Sequence, residues 1–389
     1  MTLFAPLPRQ ENLVKLAEQL AGDVLRPRAD EVDRTAEFPR ANFDELAKAG
    51  LFGMRIPAKW GGLGADVQTA VMVIERLARA CASTAMCFKM HSEATEPIWR
   101  LANPEQVEAF VKPIAAGKLL VTSAISEAGT GSHTWVMQSH ATRNGDKYDL
   151  TEVHKGWVTS SGHADLYFTP VLHDKGAGTG NYTAFVIEKA ATQWTIDAPW
   201  NGLGMRANAS SPMTFKGSVK ASRNRLGDEC AWQTRVFPAF MPFSMITFAA
   251  VFLGIAEGAC EEAMAHVTGR KYGDTGSPLA KLDGIQRYLG EMRLSIDRTR
   301  AFVMAVARQM DDEGAADPRH LIQCVCAADE TALEVARAAM NIGGGKSYAG
   351  ANSLGRYLRD AQAGSVMAPT DDVVKLRVGR LMLGLPQFG

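Results

Sequence analysis

Three histidines lie in segments where a side chain could move a proton. His91 follows the helix-like run CFKM, His133 ends SAISEAGTGSH, and His163 lies in SSGHAD. Imidazole donates and accepts hydrogen bonds, and its ordinary pKa is near neutral pH. We rank His91 and His133 ahead of His163 as candidate proton donors. The alternative for each is a structural or surface histidine.

Two further segments carry groups suited to binding a ligand. The tripeptide Trp157-Val158-Thr159 sets an indole close to a hydroxyl, and Gly343-Gly344-Gly345 would let backbone approach a phosphate closely. Ordinary strand residues and a glycine helix cap are the alternative interpretations.

The elements that must position these residues fall into three zones. Residues 1–118 show helical spacing of apolar residues, and residues 119–230 hold short β-rich runs separated by turns. Residues 231–389 return to the helical spacing. The sequence predicts an α+β multidomain protein with an N-terminal helical domain, a central antiparallel β domain and a C-terminal four-helix bundle.

Four helices are predicted in detail. TAVMVIERLARACASTAMCF should form one buried helix, and a stripe from Ile285 to Met310 marks a long one. Another should run from about His320 to Met340 and stop at the glycine triplet. The last should follow Pro369, which suits a first helical turn.

Composition excludes several classes of protein. A formal net charge of zero argues against a broad nucleic-acid surface. The six scattered cysteines form no CxxC pair, which favours reduced thiols in a cytoplasmic protein without a metal site. The apolar stretch from Phe237 to Ala256 is interrupted by Pro238 and Pro242, so a buried helix is expected rather than a membrane span.

The order of the zones and six local segments resemble the acyl-CoA dehydrogenase superfamily of flavoproteins. The resemblance covers nearly the whole chain. The six segments occur in the family's order: LAKAGLFGMRIPAKWGGLGAD, SAISEAGTGSH, HKGWVTSSGHAD, GMRANASSPMTF, AAMNIGGGKSY and GRYLRDA. The resemblance implies the same three-domain fold and a flavin-dependent oxidoreductase.

The resemblance also implies a cofactor, FAD in preference to FMN. A flavin needs an apolar face, hydrogen-bond donors at its edge and shielding from water. The residues expected to contact it are Ser126, Ser132, Trp157, Thr159 and Thr370. Ser132 also matches the family serine near the thioester end of the pantetheine arm.

Arg270 matches the family's pyrophosphate arginine, and Gly343 and Gly344 match a turn that in the family lies against the dinucleotide of a neighbouring subunit. The glycine turn therefore implies a homo-oligomer, a dimer or a tetramer. The segment RKYGDTGSP departs from the family pattern around Arg270, because it lacks a phenylalanine and needs about two inserted residues to align. If that contact has changed, FMN or weakly held FAD becomes the alternative.

The catalytic glutamate of the family has no counterpart at either expected position. Counting seven residues from Ala361 of the Arg-Asp-Ala motif gives Ala368, within RDAQAGSVMAPTDD. Some members carry the glutamate on the first bundle helix, where this chain has Ser244, and serine without a partner is a poor base. A displaced base at Asp371 or Asp372, or a register error, is the alternative.

The missing glutamate favours an atypical oxidoreductase that uses O2 as an oxidase or oxygenase. The first alternative is a monooxygenase that acts on a free small molecule and receives reduced flavin from a partner reductase. The second is a true dehydrogenase with a relocated base, and the third is a protein that only binds a ligand. For each of them the sequence predicts no membrane and no nucleic acid as partner.

A CoA thioester is the expected substrate. Ser132 and Arg206 keep family residue types, and Phe243, Met367 and Ala368 would contact the acyl group. The apolar side chains around Phe243 suit an acyl or aryl group, and they suit plain core packing equally well.

Overall fold

The structure, a computed structural model, describes residues 4–129, 136–173, 181–349 and 352–386. A helical region comes first, a β region follows, and a second helical region completes the fold. This is the architecture that the sequence predicts.

The N-terminal region is helical because apolar residues recur every three or four positions. Its helices are α1 (Glu11–Gln19), α2 (Arg26–Thr35), α3 (Arg40–Lys48), α4 (Val67–Ala80), α5 (Ala82–Leu101), α6 (Pro104–Gln106) and α7 (Lys112–Ala115). Short π-helical turns at Leu20–Leu25 and Val107–Val111 connect some of them.

The prediction of one continuous helix across α4 and α5 is wrong. Cys81 is extended, with φ −150° and ψ 102°, and separates the two helices. Side chains of α12 (Ser353–Ala361), in the C-terminal region, donate hydrogen bonds to the backbone carbonyls next to the break. Tyr357 donates its hydroxyl to the carbonyl of Arg79 (2.5 Å), and Arg356 donates to that of Ala80 (3.3 Å). Distant partners thus remove the penalty that normally opposes a break.

The β region consists of two four-stranded sheets in the described part of the chain. The strands are β1 (Val121–Ser123), β2 (Ala141–Asn144), β3 (Lys147–Val158), β4 (Leu166–Leu172), β5 (Tyr182–Glu188), β6 (Gln193–Ile196), β7 (Ser211–Lys220) and β8 (Arg225–Leu226). Their orders are β1-β4-β5-β8 and β2-β3-β7-β6. Pairing is antiparallel as predicted, except that β1 lies parallel to β4.

After the short helix α8 (Ala221–Asn224), the C-terminal region packs long helices around one central helix. They are α9 (Phe237–Gly269), α10 (Asp283–Glu313), α11 (Pro318–Tyr348), α12 and α13 (Asp371–Met382). Helix α9 contacts α4, α5, α10, α11 and α12. The stretch Trp232–Gly269 is long and apolar enough to cross a membrane. However, 83% of its most apolar 18 residues are buried inside the molecule, as in the core helix of a soluble protein.

The regular helix of α11 is interrupted at the glycine triplet, where the sequence predicts that it stops. Gly344 has φ +59° and ψ −155°, outside the helical region, and a short second helical stretch continues to Tyr348. Gly343 lies against Ser347 and Leu354.

Helix α9 approaches α4 closely at two glycines. A Cβ at Gly254 would lie 2.4 Å from the carbonyl oxygen of Glu75, and one at Gly258 would lie 2.5 Å from that of Arg79. The absence of side chains here lets the central helix reach the core of the N-terminal region, which sets the position of its neighbouring residues.

Gly254→Ala should therefore lower the free energy of unfolding, by about 1–3 kcal/mol, because the added methyl overpacks a backbone contact. Gly290→Ala is the control, since a Cβ there meets nothing within 4 Å. It should stabilise α10 by about 0.5–1 kcal/mol. Chemical denaturation of both variants measures the difference, and equal effects would contradict the close approach.

Candidate active site

A cavity of about 700 Å³ lies where the three regions meet. Helix α5, the end of β1, the segment after β3, helix α9 and residues 359–369 all contribute to its walls. The cavity thus draws on every region of the fold, and its shape depends on how they are held together.

The first wall is aromatic. Trp157 is 62% exposed, and its ring meets that of Trp200 edge to face with centroids 6.2 Å apart. The backbone N–H of Gly156 donates to the carbonyl of Ser126 (2.8 Å), and a Cβ at Gly156 would lie 3.1 Å from the nitrogen of Ala128. The glycine therefore lets the Ser126 segment lie close to Trp157.

A buried ion pair holds the Ser126 segment in place. Lys155 Nζ lies 2.7 Å from Glu127 Oε1, while Glu127 Oε2 accepts from the backbone N–H groups of Gln138 and Ser139. Burial raises the pKa of the Glu127 carboxyl, but the Lys155 charge and these donors outweigh it and hold that pKa below its usual value. Both oxygens of Glu127 are committed to the support of this wall.

Polar groups line the same wall beyond Trp157. Thr159 Oγ1 lies 2.8 Å from Ser210 Oγ, and both side chains are buried. The amide oxygen of Asn208 is buried without a hydrogen-bond partner among the described residues. A buried polar atom of this kind suits a ligand that supplies the missing donor. An aromatic face with polar groups beside it fits a planar heteroaromatic ligand.

Another part of the cavity lining is apolar. Helix α9 and the segment that precedes α13 supply these side chains: Phe240, Met241, Met245, Phe248, Val366, Met367 and Ala368. Such a surface excludes water and accommodates an acyl or aryl group.

A buried carboxylate is the chemically distinctive feature of the cavity. Glu93 on α5 is 2% exposed, and its oxygens accept from three side chains. Ser123 Oγ donates to Oε1 (2.5 Å), while Ser244 Oγ and Lys89 Nζ both contact Oε2. Lys89 Nζ also lies 3.1 Å from Ser244 Oγ. We name Lys89, Glu93, Ser123 and Ser244 the Glu93 cluster, and all four line the cavity.

The acidic residues expected near Ala368 do not reach the cavity. Asp371 is buried at the start of α13 beside Asp329, and burial raises the pKa of its carboxyl. Asp372 is exposed. Among the described residues, the carboxylates that line the cavity are those of Glu93 and Glu127.

His91 lies outside the cavity lining, in a position that does not suit a proton donor to a ligand. Its Nδ1 accepts from Val121 N–H and its Nε2 donates to the carbonyl of Phe52, both at 3.0 Å. Burial lowers the pKa of His91 to about 4, so the ring is a neutral structural link. His163 stacks on Phe38, with centroids 4.3 Å apart. His133 and Ser132 lie outside the described residues.

The structure brings some predicted binding residues to the cavity and leaves others away from it. Ser126, Trp157, Thr159, Ser244, Met367 and Ala368 line it. Phe243 instead packs under the Arg55 guanidinium, 5.2 Å from the ring centroid, while its neighbours on α9 face the cavity. The others that do not line it are Arg206, Arg270, Gly343, Gly344 and Thr370.

Glu93 is the residue that sequence reasoning missed. It lies in a helix outside the six family-like segments, so no motif draws attention to it. A weaker signal was present, because Lys89 and Glu93 are four residues apart in a helix-like segment. Such a pair usually marks a solvated helix face, and only the fold reveals that this one is buried.

One junction holds the cavity-closing segment against the β region. The N–H of Met205 donates to Asp360 Oδ1 (2.6 Å), and a Cβ at Gly204 would lie 2.1 Å from the carbonyl oxygen of Arg359. Arg359 also pairs with Asp33 of α2. Arg359 and Asp360 therefore connect α12 to the N-terminal region and to the β region. They fix the point from which residues 362–369 continue along the cavity.

Family models match the chain in three consecutive parts. They are the N-terminal domain of acyl-CoA dehydrogenase at residues 8–118, its middle domain at 122–218 and its C-terminal domain at 235–383. The chain belongs to the acyl-CoA dehydrogenase family. The resemblance seen in the sequence is confirmed.

Relatives in this family match over almost their whole length. Cyclohex-1-ene-1-carbonyl-CoA dehydrogenase of Geobacter metallireducens is 28% identical over 375 residues, which cover 96% of this chain and 98% of that protein. The structure of butyryl-CoA dehydrogenase from Megasphaera elsdenii superposes with a TM-score of 0.91 at 27% identity, and covers 97% of this chain and 99% of that one.

A glutaryl-CoA dehydrogenase from Mycobacterium smegmatis in complex with FADH2 shares the fold. Its TM-score is 0.88 at 17% identity, with 99% of this chain and 97% of that one covered. A flavin is thus the cofactor of that relative, in agreement with the prediction for this family.

The junction gives a pH-dependent prediction. Burial raises the pKa of Asp360 to about 6, against the opposing charge of Arg356. The protonated Asp360 carboxyl is therefore held more tightly in the folded state than in the unfolded state. The stability that this protonation contributes is lost as pH rises from about 4 to about 6. The shift corresponds to about 3 kcal/mol.

Asp360→Asn should remove this contribution. Thermal unfolding of both proteins between about pH 4 and pH 7 should therefore show wild type losing stability relative to the variant as pH rises. A constant difference in Tm across that range would contradict the prediction.

Proposed function

We propose that this protein oxidises an acyl thioester of the CoA type, with FAD as its cofactor. The observation that carries the proposal is one cavity that combines an aromatic and polar wall, an apolar wall and a buried carboxylate. Removing hydrogen from a carbon next to a thioester requires these parts, namely an electron acceptor, an apolar site and a base. Family membership supports the same chemistry.

The residues of the first wall fit a flavin. Trp157 would cover the ring, and Ser126, Thr159, Asn208 and Ser210 would supply hydrogen bonds at its edge. The unpartnered amide oxygen of Asn208 supports this fit. A bound FAD supplies a two-electron acceptor for the hydride that leaves the substrate. Phe240, Phe248 and their neighbours keep water from the reacting carbons.

O2 is the proposed electron acceptor in a second version of this function, as oxidase or oxygenase. Ala368 supports it, because an enzyme that uses O2 needs a dry, protected pocket and not always a base at that position. The buried Glu93 carboxylate favours oxidation of the acyl group next to the thioester, whether O2 or another molecule then accepts the electrons.

A homo-oligomer is also proposed. Gly343 and Gly344 keep the residue type that the family places against a neighbour's dinucleotide, and they do not line the cavity of their own chain. Large apolar side chains are exposed on the same region, on helices α10 and α13: Leu294, Leu376 and Met382. Light scattering on the purified protein measures the subunit number.

Mixing the FAD-loaded protein anaerobically with short linear and cyclic acyl-CoA thioesters tests the function. At least one thioester should bleach the visible flavin absorbance, because without O2 the two electrons removed from the substrate stay on the flavin. The free acids are the controls and should leave the spectrum unchanged. Bleaching by no thioester would contradict the proposal. Subsequent rapid mixing with oxygenated buffer then reports whether O2 accepts the electrons within turnover.

Trp157→Ala should weaken flavin binding about threefold to tenfold, since an aromatic stacking contact contributes about 0.5–1.5 kcal/mol. Folding should change little because the side chain is largely exposed. Titration of apoprotein with FAD, followed by fluorescence, measures the change. Trp60→Ala, outside the cavity, is the control. Equal affinities for FAD in wild type and Trp157→Ala would argue against this wall as the flavin site.

A further inference from the structure

The Glu93 cluster is more elaborate than a structural ion pair requires. Its members come from three elements of the fold. Lys89 and Glu93 lie on successive turns of α5, Ser123 is in β1 and Ser244 is in α9. All four side chains are buried and all four border the cavity. A carboxylate buried at an apolar cavity is costly unless it is paired and hydrogen-bonded.

We propose that Glu93 is the base that removes the proton from the carbon next to the thioester. This inference rests on the proposed function. The α C–H bond breaks, the proton goes to a carboxylate oxygen of Glu93, and the electron pair forms the new double bond. The β-carbon would lose a hydride, for which bound FAD would be the two-electron oxidant.

The hydrogen bonds around Glu93 leave room for that proton. An ionised carboxylate has about four lone-pair positions. Ser123 uses one on Oε1, and Lys89 and Ser244 use those on Oε2. One position on Oε1 remains among the contacts that the structure describes. The three donors also fix the rotamer, so the base is held before the substrate arrives.

The other carboxylate of the cavity is unsuited to the role. Glu127 pairs with the buried Lys155 and accepts from two backbone N–H groups. Asp371 lies outside the cavity, beside Asp329. Ser244, a candidate from the sequence, instead donates to Glu93 and so acts as a positioning residue.

Deuterium exchange measures proton removal without any need for turnover. The probe is 3-thiabutanoyl-CoA, whose α-hydrogens are acidic and whose sulfur blocks hydride loss from the β-position. Wild-type protein in D2O should exchange them, as followed by mass spectrometry. Glu93→Gln should lower the exchange rate at least about 100-fold, the usual contribution of a general base.

Two variants separate a catalytic role from a structural one. Glu96→Gln removes another buried carboxylate of α5, one that pairs with Arg55 and Arg100 outside the cavity, and should retain exchange. In the double variant Glu93→Gln/Ser244→Glu, a carboxylate from α9 would reach the same place, because Ser244 Oγ already contacts Glu93. That variant should recover part of the lost rate.

The outcomes are distinguishable. No exchange by wild type, with or without bound FAD, would overturn the proposed function and the role of Glu93 with it. Exchange by wild type that persists in folded Glu93→Gln would overturn the role of Glu93 alone. Equal losses in Glu93→Gln and Glu96→Gln, without recovery in the double variant, would assign Glu93 a structural role.

Discussion

The burial of the Glu93 carboxylate is the constraint on which the cavity depends. A charge in an apolar site needs compensating donors, and here they come from all three regions of the fold. Lys89 shares the helix of Glu93, Ser123 comes from the β region, and Ser244 comes from the central helix of the bundle. The compensation of one charge therefore fixes the positions of α5, β1 and α9 relative to one another.

Two other contacts keep this arrangement in register. Gly254 and Gly258 let α9 lie directly on the second half of α4, just before the break at Cys81. On the far side, Asp360 accepts from Met205 and holds the segment that ends at Ala368. The consequence is a cavity in which the buried Glu93 carboxylate lies near an apolar wall, and this arrangement suits proton removal from an acyl thioester.

The fold was predictable from the sequence because periodicity and the order of family segments are local signals. Part of the cavity lining was predictable in the same way, since Ser126, Trp157 and Thr159 lie in such segments and do line the cavity. The base was not predictable, because Glu93 acquires its meaning from Ser123 and Ser244, which are distant in the chain. For the same reason His91 was misjudged: its backbone partners, Phe52 and Val121, are visible only in the fold.

A crystal structure of the FAD-loaded protein with 3-thiabutanoyl-CoA would show directly whether Glu93 can act as the base. We expect a Glu93 carboxylate oxygen about 3–3.5 Å from the α-carbon, the approach expected of reacting atoms. An α-carbon more than about 5 Å from both carboxylate oxygens of Glu93 would be too far for proton transfer and would contradict this role.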